Sequence, residues 1–212
     1  MTALAIVLVG AGASVRMGFD KIWADLAGQP LLAHAIAAAT AAEPAELVVV
    51  VAPERLGDAA ALAPGARVVA GGARRRDSVA AGLAACQASW IAIHDAARAL
   101  APPRLFAAGL QAAQASGAAV PVLPLADTIK RVADGRVVHT LARADHVAVQ
   151  TPQLFRRDLL ERALALSDAD ATDEASLVEQ LGVSVATFPG DERAFKVTRP
   201  LDWQLARLLV SG

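Results

Sequence analysis

A parallel α/β sheet is the fold class this chain predicts, and three observations carry the prediction. Short apolar runs of strand length alternate with alanine-rich helical segments, the first run empties into a loop of small residues, and polar residues recur just after successive runs. In an open parallel sheet, ligands collect beyond the carboxyl ends of the strands, so this recurrence is the trace a binding crevice leaves in sequence. The 212 residues suit one domain, taken as 1–212, and a hydrophobic content of 55% is enough to bury a large core.

The first strand is Leu4 to Val9, continuously apolar as a strand buried on both faces must be. It runs into Gly10-Ala11-Gly12-Ala13-Ser14-Val15-Arg16-Met17, with Lys21 beyond. Small residues let main-chain N–H groups approach a phosphate, and Arg16 and Lys21 add positive charge beside it. The spacing departs from a dinucleotide fingerprint at Val15, and from a P-loop after Gly18, where Phe19-Asp20 stands in place of Lys-Ser or Lys-Thr. The loop instead resembles the signature of nucleotidyltransferases that join a nucleoside triphosphate to a sugar or alditol phosphate.

Pro30-Leu31-Leu32 then opens a helix to Ala42, with Leu47 to Ala52 and Arg67 to Ala70 as the next strands. The third strand leads into Gly71-Gly72-Ala73-Arg74-Arg75-Arg76-Asp77-Ser78, a glycine turn and three arginines before a helix from Val79 to Gln87, capped by Asp77 or Ser78. A backbone turn with Ser78 beside it can read the edge of a base, while a nearby arginine holds phosphates. Strand Trp90 to Ile93 ends in His94-Asp95-Ala96-Ala97-Arg98, where Asp95 offers a hard divalent cation a carboxylate oxygen. His94, with no second histidine nearby, reads as structural.

From Asp127 the alternation stops. Thr128 to Val132 and Arg136 to Leu141, around Asp134-Gly135, predict a hairpin, and the segment 126–149 a β-arm. An isolated hairpin is marginal in water, so the arm should rest on its own domain or on a partner. A helix within Pro152 to Leu166 follows, and another is capped by Thr172, Asp173 and Glu174 and runs through Leu181. Its acidic first turn is explained by the helix dipole. Strand Val183 to Phe188 and helix Leu201 to Val210, opened by Pro200, close the chain.

The formal charge of −1 argues against a nucleic-acid binder, which needs a clustered basic excess. No apolar run approaches the roughly 20 residues of a membrane span. One cysteine, Cys86, cannot form an internal disulfide. A cytoplasmic protein with no nucleic-acid or membrane partner is expected.

Several segments together resemble the 2-C-methyl-D-erythritol 4-phosphate cytidylyltransferases over nearly the whole chain. They are the loop ending Arg16-Met17, Gly71-Gly72-x-x-Arg75-x-x-Ser78-Val79, His94 to Arg98, Asp127 to Lys130, Gln150-Thr151-Pro152-Gln153, Thr172 to Ser176, and Lys196-Val197-Thr198. The resemblance implies a Rossmann-like, mostly parallel sheet flanked by helices, with the hairpin arm protruding to form a homodimer. It implies Mg²⁺ as cofactor, bound by Asp95, and transfer of CMP from CTP to 2-C-methyl-D-erythritol 4-phosphate in the non-mevalonate pathway. It further implies catalytic roles for Arg16, Lys21 and Lys196, and nucleotide binding by Gly10, Ala11, Gly12, Gly71, Gly72 and Ser78. Arg98, Thr128, Arg143 and Thr151 are implied for the alditol phosphate. The nearest alternatives are a ribitol-phosphate cytidylyltransferase, a guanylyl- or uridylyltransferase, and a non-catalytic binding relative. The chain departs from the family pattern at Ser14, where glycine is usual, at Asp20, where proline is usual, and at Ala194-Phe195, where Asn-Ile is expected.

Overall fold

The computed structural model describes residues 3–12, 18–166 and 171–211. In chain order, β1 (Leu4–Val9) leads to the small ribbon β2 (Asp25–Leu26) and β3 (Gln29–Pro30), then α1 (Leu31–Thr40) and β4 (Glu46–Val51). Next come α2 (Leu56–Leu62), β5 (Arg67–Ala70), α3 (Arg75–Ala84), β6 (Trp90–Asp95), α4 (Arg104–Ala113) and β7 (Ala118–Pro124). The hairpin is β8 (Lys130–Ala133) and β9 (Arg136–Thr140). After it lie β10 (Val147–Val149), β11 (Gln153–Arg156), α5 (Arg157–Leu166), α6 (Glu174–Glu179), β12 (Ala186–Pro189) and α7 (Pro200–Ser211).

β1 is central because its neighbours pair with it in parallel on both edges, β4 from Ala5↔Glu46 and β6 from Leu4↔Trp90 to Val9↔Asp95. The order β5-β4-β1-β6 reverses direction at β1, and such a switch point opens a crevice beyond the strand ends. The chain beyond β1 and the last residue of β6 therefore meet there by topology alone. Alternation along β1 supplies two cores. Ala5 and Val7 pack with Val79, Leu83, Leu160 and Leu177 of α3, α5 and α6 on one face, while Leu8 packs with Leu31, Leu32 and Ile36 of α1 on the other. Cys86 is buried in the first of these cores, as an inert thiol would be.

Three differences from the sequence expectation bear on the site and its surroundings. The segment after Pro152 begins with a strand, because Gln153, Leu154 and Phe155 are all buried, filling an antiparallel slot between β6 and β7 before the helix starts. Strand β7 contains Pro121 and Pro124, which disguise it, since proline cannot donate to a ladder. Helix α3 starts at Arg75, with Arg74 as its N-cap residue, and Asp77 accepts the Arg74 main-chain N–H from within the first turn at 3.1 Å.

The arm turns through Asp134 (φ 49°) and Gly135 (φ 72°), both left-handed, which is the two-residue hairpin turn the Asp-Gly pair predicts. Strands β8 and β9 pair with each other and with no other described strand, leaving Val132, Val137 and Val138 more than half exposed, whereas the end of the predicted 126–149 arm returns to the main sheet, because β10 pairs antiparallel with β7. No described helix is long and apolar enough to cross a membrane.

Close approach of α3 to the sheet rests on Gly82, where a Cβ would lie 2.3 Å from Val7 Cγ1 and 3.0 Å from Val50 Cγ2. Gly57, in α2, has nothing within 4 Å of the same position. Urea unfolding should therefore show Gly82→Ala losing about 1–3 kcal/mol to overpacking, and Gly57→Ala neutral or gaining up to about 1 kcal/mol from helix propensity. Equal changes at the two positions would contradict the packing described.

Candidate active site

A cavity of about 450 Å³ occupies the switch-point crevice, lined among others by Gly10, Ala11, Gly12, Lys21, Gly72, Arg75, Ser78, Asp95 and Lys196. Its walls are fixed by main-chain bonds to β4, with Gly10 N–H donating to the Val50 carbonyl at 2.8 Å and Gly71 N–H to that of Val51 at 2.7 Å. The two glycine loops touch. A Cβ on Gly71 would sit 2.3 Å from Ala11 Cβ and 2.7 Å from Ser78 Oγ, so only glycine lets them share the cradle. Ser78 is buried; its hydroxyl donates to the Arg74 carbonyl at 3.3 Å and accepts the Gly72 N–H at 3.2 Å. Its side chain thus props the Gly71–Arg74 turn along the cavity.

Opposite the loops, Asp95 ends β6 with its side chain nearly buried. Oδ1 accepts from Arg75 Nη2 at 3.1 Å and Nε at 3.3 Å, Oδ2 accepts from Lys196 Nζ at 2.8 Å, and Arg98 Nε stands 4.0 Å from Oδ2. Burial pushes this carboxyl up, but the charges of Arg75, Lys196 and Arg98 together outweigh it and hold Asp95 well below the usual carboxylate range. It is ionised at every pH at which the protein would work. Arg75 also donates through Nη1 to Glu174, which is buried and pushed upward by desolvation against the pull of Arg75. Three cations thus share two anions, and the cavity floor is left with a surplus of positive charge.

The segment Gln150–Gln153 braces this arrangement from behind. Gln150 clasps Asp191 in the loop leading to Lys196, its Nε2 donating to the carbonyl at 3.0 Å and its Oε1 accepting the N–H at 3.1 Å. Thr151 Oγ1 accepts the Asp95 N–H at 3.1 Å and bonds His94 Nδ1 at 3.0 Å, while His94 Nε2 lies 3.3 Å from the Arg98 carbonyl. A carbonyl only accepts, so Nε2 carries the proton of a neutral His94 and the Thr151 hydroxyl donates to Nδ1. Gln153 holds the start of α6, donating to Asp173 at 2.7 Å and accepting the Ala175 N–H at 3.2 Å.

Of the residues predicted from sequence, Gly10, Ala11, Gly12, Lys21, Gly72, Ser78, Asp95 and Lys196 line the cavity, and Gly71 shapes it from behind. Arg98 and Thr151 do not line the cavity but stand behind it, against Asp95. Arg98 Nη1 donates to the Ala194 carbonyl at 2.7 Å, and the Thr151 hydroxyl is committed to Asp95 and His94. Thr128 and Arg143 are exposed on the arm, Arg143 donating to the Ala126 carbonyl at 2.5 Å. Arg16 and Ser14 lie outside the described residues. Of the departures noted in sequence, Asp20 is exposed while Lys21 still lines the cavity, and Ala194 is buried and bonds Arg98 through its main chain. Sequence reasoning gives Glu174 no site role; its signals there are the acidic first turn that a dipole already explains and its place in the Thr172 to Ser176 segment of the family resemblance.

A family model described as 2-C-methyl-D-erythritol 4-phosphate cytidylyltransferase matches residues 3–211. A protein of that description from Frankia casuarinae is 46% identical over 98% of this chain and 81% of its own length. One from Rhodococcus jostii is 46% identical over 94% of this chain and 92% of its own. The crystal structure of the enzyme from Thermus thermophilus superposes with a TM-score of 0.84 at 35% identity, covering 99% of this chain and all of that one.

The His94 geometry predicts an acid response. Burial pushes the imidazole down to about 4, so the native state resists a proton that the unfolded chain takes near 6.5. Stability contributed by this group is complete above the unfolded value and is lost as pH falls from about 6.5 to about 4. Between pH 7 and 4.5 the wild type should lose about 2 kcal/mol more unfolding free energy than His94→Gln. Identical losses, measured by urea titration, would mean that His94 is not held neutral.

Proposed function

We propose, since the chain belongs to the 2-C-methyl-D-erythritol 4-phosphate cytidylyltransferase family, that its cavity binds CTP and 2-C-methyl-D-erythritol 4-phosphate and transfers CMP between them, releasing pyrophosphate, in isoprenoid biosynthesis. The observation that carries this reading is the placement of Lys21, Lys196 and Arg75 around one cavity with the glycine loops and an ionised Asp95. A phosphate oxygen of the alditol attacks the α-phosphorus, the bond from that phosphorus to the bridging oxygen breaks, and pyrophosphate departs with its electrons. The attacking phosphate is already anionic at neutral pH, so the step needs no general base and no covalent enzyme intermediate. What the protein supplies is position and charge.

Lys21 neutralises the α-phosphate, Lys196 clamps the attacking phosphate, and Arg16 attends the leaving pyrophosphate. Ala11 and Gly12 offer main-chain N–H groups to the phosphates, while the Gly10 N–H, spent on Val50, fixes the start of the loop. The Gly71-Gly72 turn, propped by Ser78, reads cytosine through its carbonyl oxygens, since both glycine N–H groups are already bonded. Thr151 serves by fixing the Asp95 main chain and the His94 tautomer, and Arg98, which stands behind Asp95, attends the alditol phosphate.

The residues present suit Mg²⁺. One ionised carboxylate, Asp95, reaches the cavity, and the described residues contain no cluster of three His, Cys, Asp or Glu that would cage a metal by itself. Magnesium takes one or two carboxylates and completes its shell with phosphate oxygens and water. Both Asp95 oxygens are taken by Arg75 and Lys196, so the metal would be held by Oδ2 once Lys196 turns to the attacking phosphate, and there it would neutralise charge on the triphosphate oxygens.

The arm completes the site through a second copy. Its exposed Val132, Val137 and Val138, and the exposed Val147 and Val149 of β10, are apolar side chains that a twofold partner would cover, giving a closed isologous dimer. In that dimer Thr128 and Arg143 reach the alditol phosphate of the partner's site, Arg143 through its planar fork.

Pyrophosphate release tests both levels at once, assayed with CTP or UTP against methylerythritol phosphate or ribitol phosphate. Turnover should favour CTP with methylerythritol phosphate, and Lys21→Ala should lower kcat by about 10²-fold or more. Arg143→Ala should raise KM for the alditol phosphate more than for CTP. Mixing the two variants should restore activity, because one site of each mixed dimer keeps both residues. Preference for ribitol phosphate would reassign the substrate, and subunit exchange without recovered activity would remove the shared site.

A further inference from the structure

Glu174 is the one buried acid of the cluster for which the mechanism above has no use. Capping of α6 does not account for it, since Asp173 is the N-cap and accepts the Ser176 N–H at 3.1 Å. Nor is it a good stabilising device. Its side chain is 2% exposed, its Oε1 accepts from Arg75, and its Oε2 is buried with no hydrogen-bond partner among the described residues. A buried carboxylate with one oxygen unsatisfied costs desolvation that a well-packed apolar residue would avoid.

What Glu174 does is visible in Arg75. The guanidinium is a rigid planar fork on a flexible stem, and here it is stretched between two anions, with Nη1 on Glu174 and Nε and Nη2 on Asp95 Oδ1. With Asp95 alone as partner, the fork could swing into the cavity it lines and follow whatever phosphate arrives. A second anchor removes that freedom. The anchor itself is fixed, because Gln153 bonds both Asp173 and Ala175, the residues flanking Glu174, and Gln153 stands opposite Ile93 on β6, two residues before Asp95. The circuit from β6 through Asp95, Arg75, Glu174 and Gln153 back to β6 is closed.

We propose that Glu174 is a positioning residue for the transfer reaction: by anchoring Arg75 it holds the Asp95 carboxylate in the orientation the phosphates meet. This rests on the CMP-transfer reading, and its test separates the two. First, the Nε–H signal of Arg75 in spectra of ¹⁵N-arginine-labelled protein should be slowly exchanging in the wild type and lost or averaged in Glu174→Ala, whatever reaction the protein performs. A signal unchanged by the substitution overturns the anchoring.

Second, kinetics are read in both backgrounds. Glu174→Ala should lower kcat by about 10-fold or more with KM for CTP changed by less than about threefold, and Glu174→Gln, which keeps the acceptor oxygen, should fall between it and wild type. In an Asp95→Asn background the same Glu174→Ala change should cost less than about threefold, because the effect runs through Asp95. Equal factors in the two backgrounds overturn the proposal, and so does a Glu174→Ala protein that is merely less stable with wild-type kcat. Should Glu174→Ala not fold, Glu174→Gln carries both readouts with the same signs. Absence of wild-type transfer would overturn the functional reading instead, and the Arg75 signal would still decide the anchoring.

Discussion

The contact on which the site depends is the Asp95 carboxylate held between Arg75 and Lys196. Asp95 arrives on the last residue of β6, Arg75 on the first turn of α3, and Lys196 from a loop a hundred residues further on, so one side chain joins three parts of the chain. Each partner alone would be a half-buried cation or a buried anion, both costly. Together they create a floor that stays ionised and carries a surplus of positive charge, which is what a triphosphate and a second phosphate meeting in one cavity require. The fold's contribution is to bring these charges to the switch point beside β1, where the two glycine loops meet.

Behind that floor lies a layer whose residues do not touch the cavity. Gln150 steadies the loop of Lys196, Thr151 and His94 fix the backbone of Asp95, and Gln153 bolts down α6 and with it Glu174. The short run from Gln150 to Gln153 thus braces three different sides of the site, and it can because β11 is threaded antiparallel next to β6. A carboxylate placed with hydrogen bonds on its own main chain, on both oxygens and on its partner's far end has little room to relax. Electrostatic catalysis depends on that absence of reorganisation.

Much of this was legible from residues alone. Buried parallel strands announce themselves as apolar runs, and the small-residue loop after β1, the turn after β5 and Asp95 after β6 could be placed at strand ends before any coordinates. The arm was legible for the same reason, since Asp-Gly fixes a hairpin turn and its valines have nothing in sequence to cover them. What escaped were features decided by tertiary contact. Pro121 and Pro124 mask β7, Gln153-Leu154-Phe155 is too short to choose between strand and helix, and α3 begins earlier than its capping residues suggest because Asp77 caps from inside the turn. Glu174 lay in a family segment yet read as a dipole residue with no site role, because its partner is 99 positions away. Thr151 carried a motif's substrate role, yet only the structure shows its hydroxyl spent on Asp95 and His94.

If Asp95 restrains a surplus of like charges, neutralising it without changing its shape should leave Arg75, Arg98 and Lys196 in mutual repulsion that an added anion can relieve. The direct measurement is thermal unfolding of wild type and Asp95→Asn with and without inorganic pyrophosphate. The variant's midpoint should lie about 6 °C or more below wild type, and pyrophosphate should raise it by more than it raises the wild type. A variant that melts with the wild type and gains no more from pyrophosphate would contradict the account.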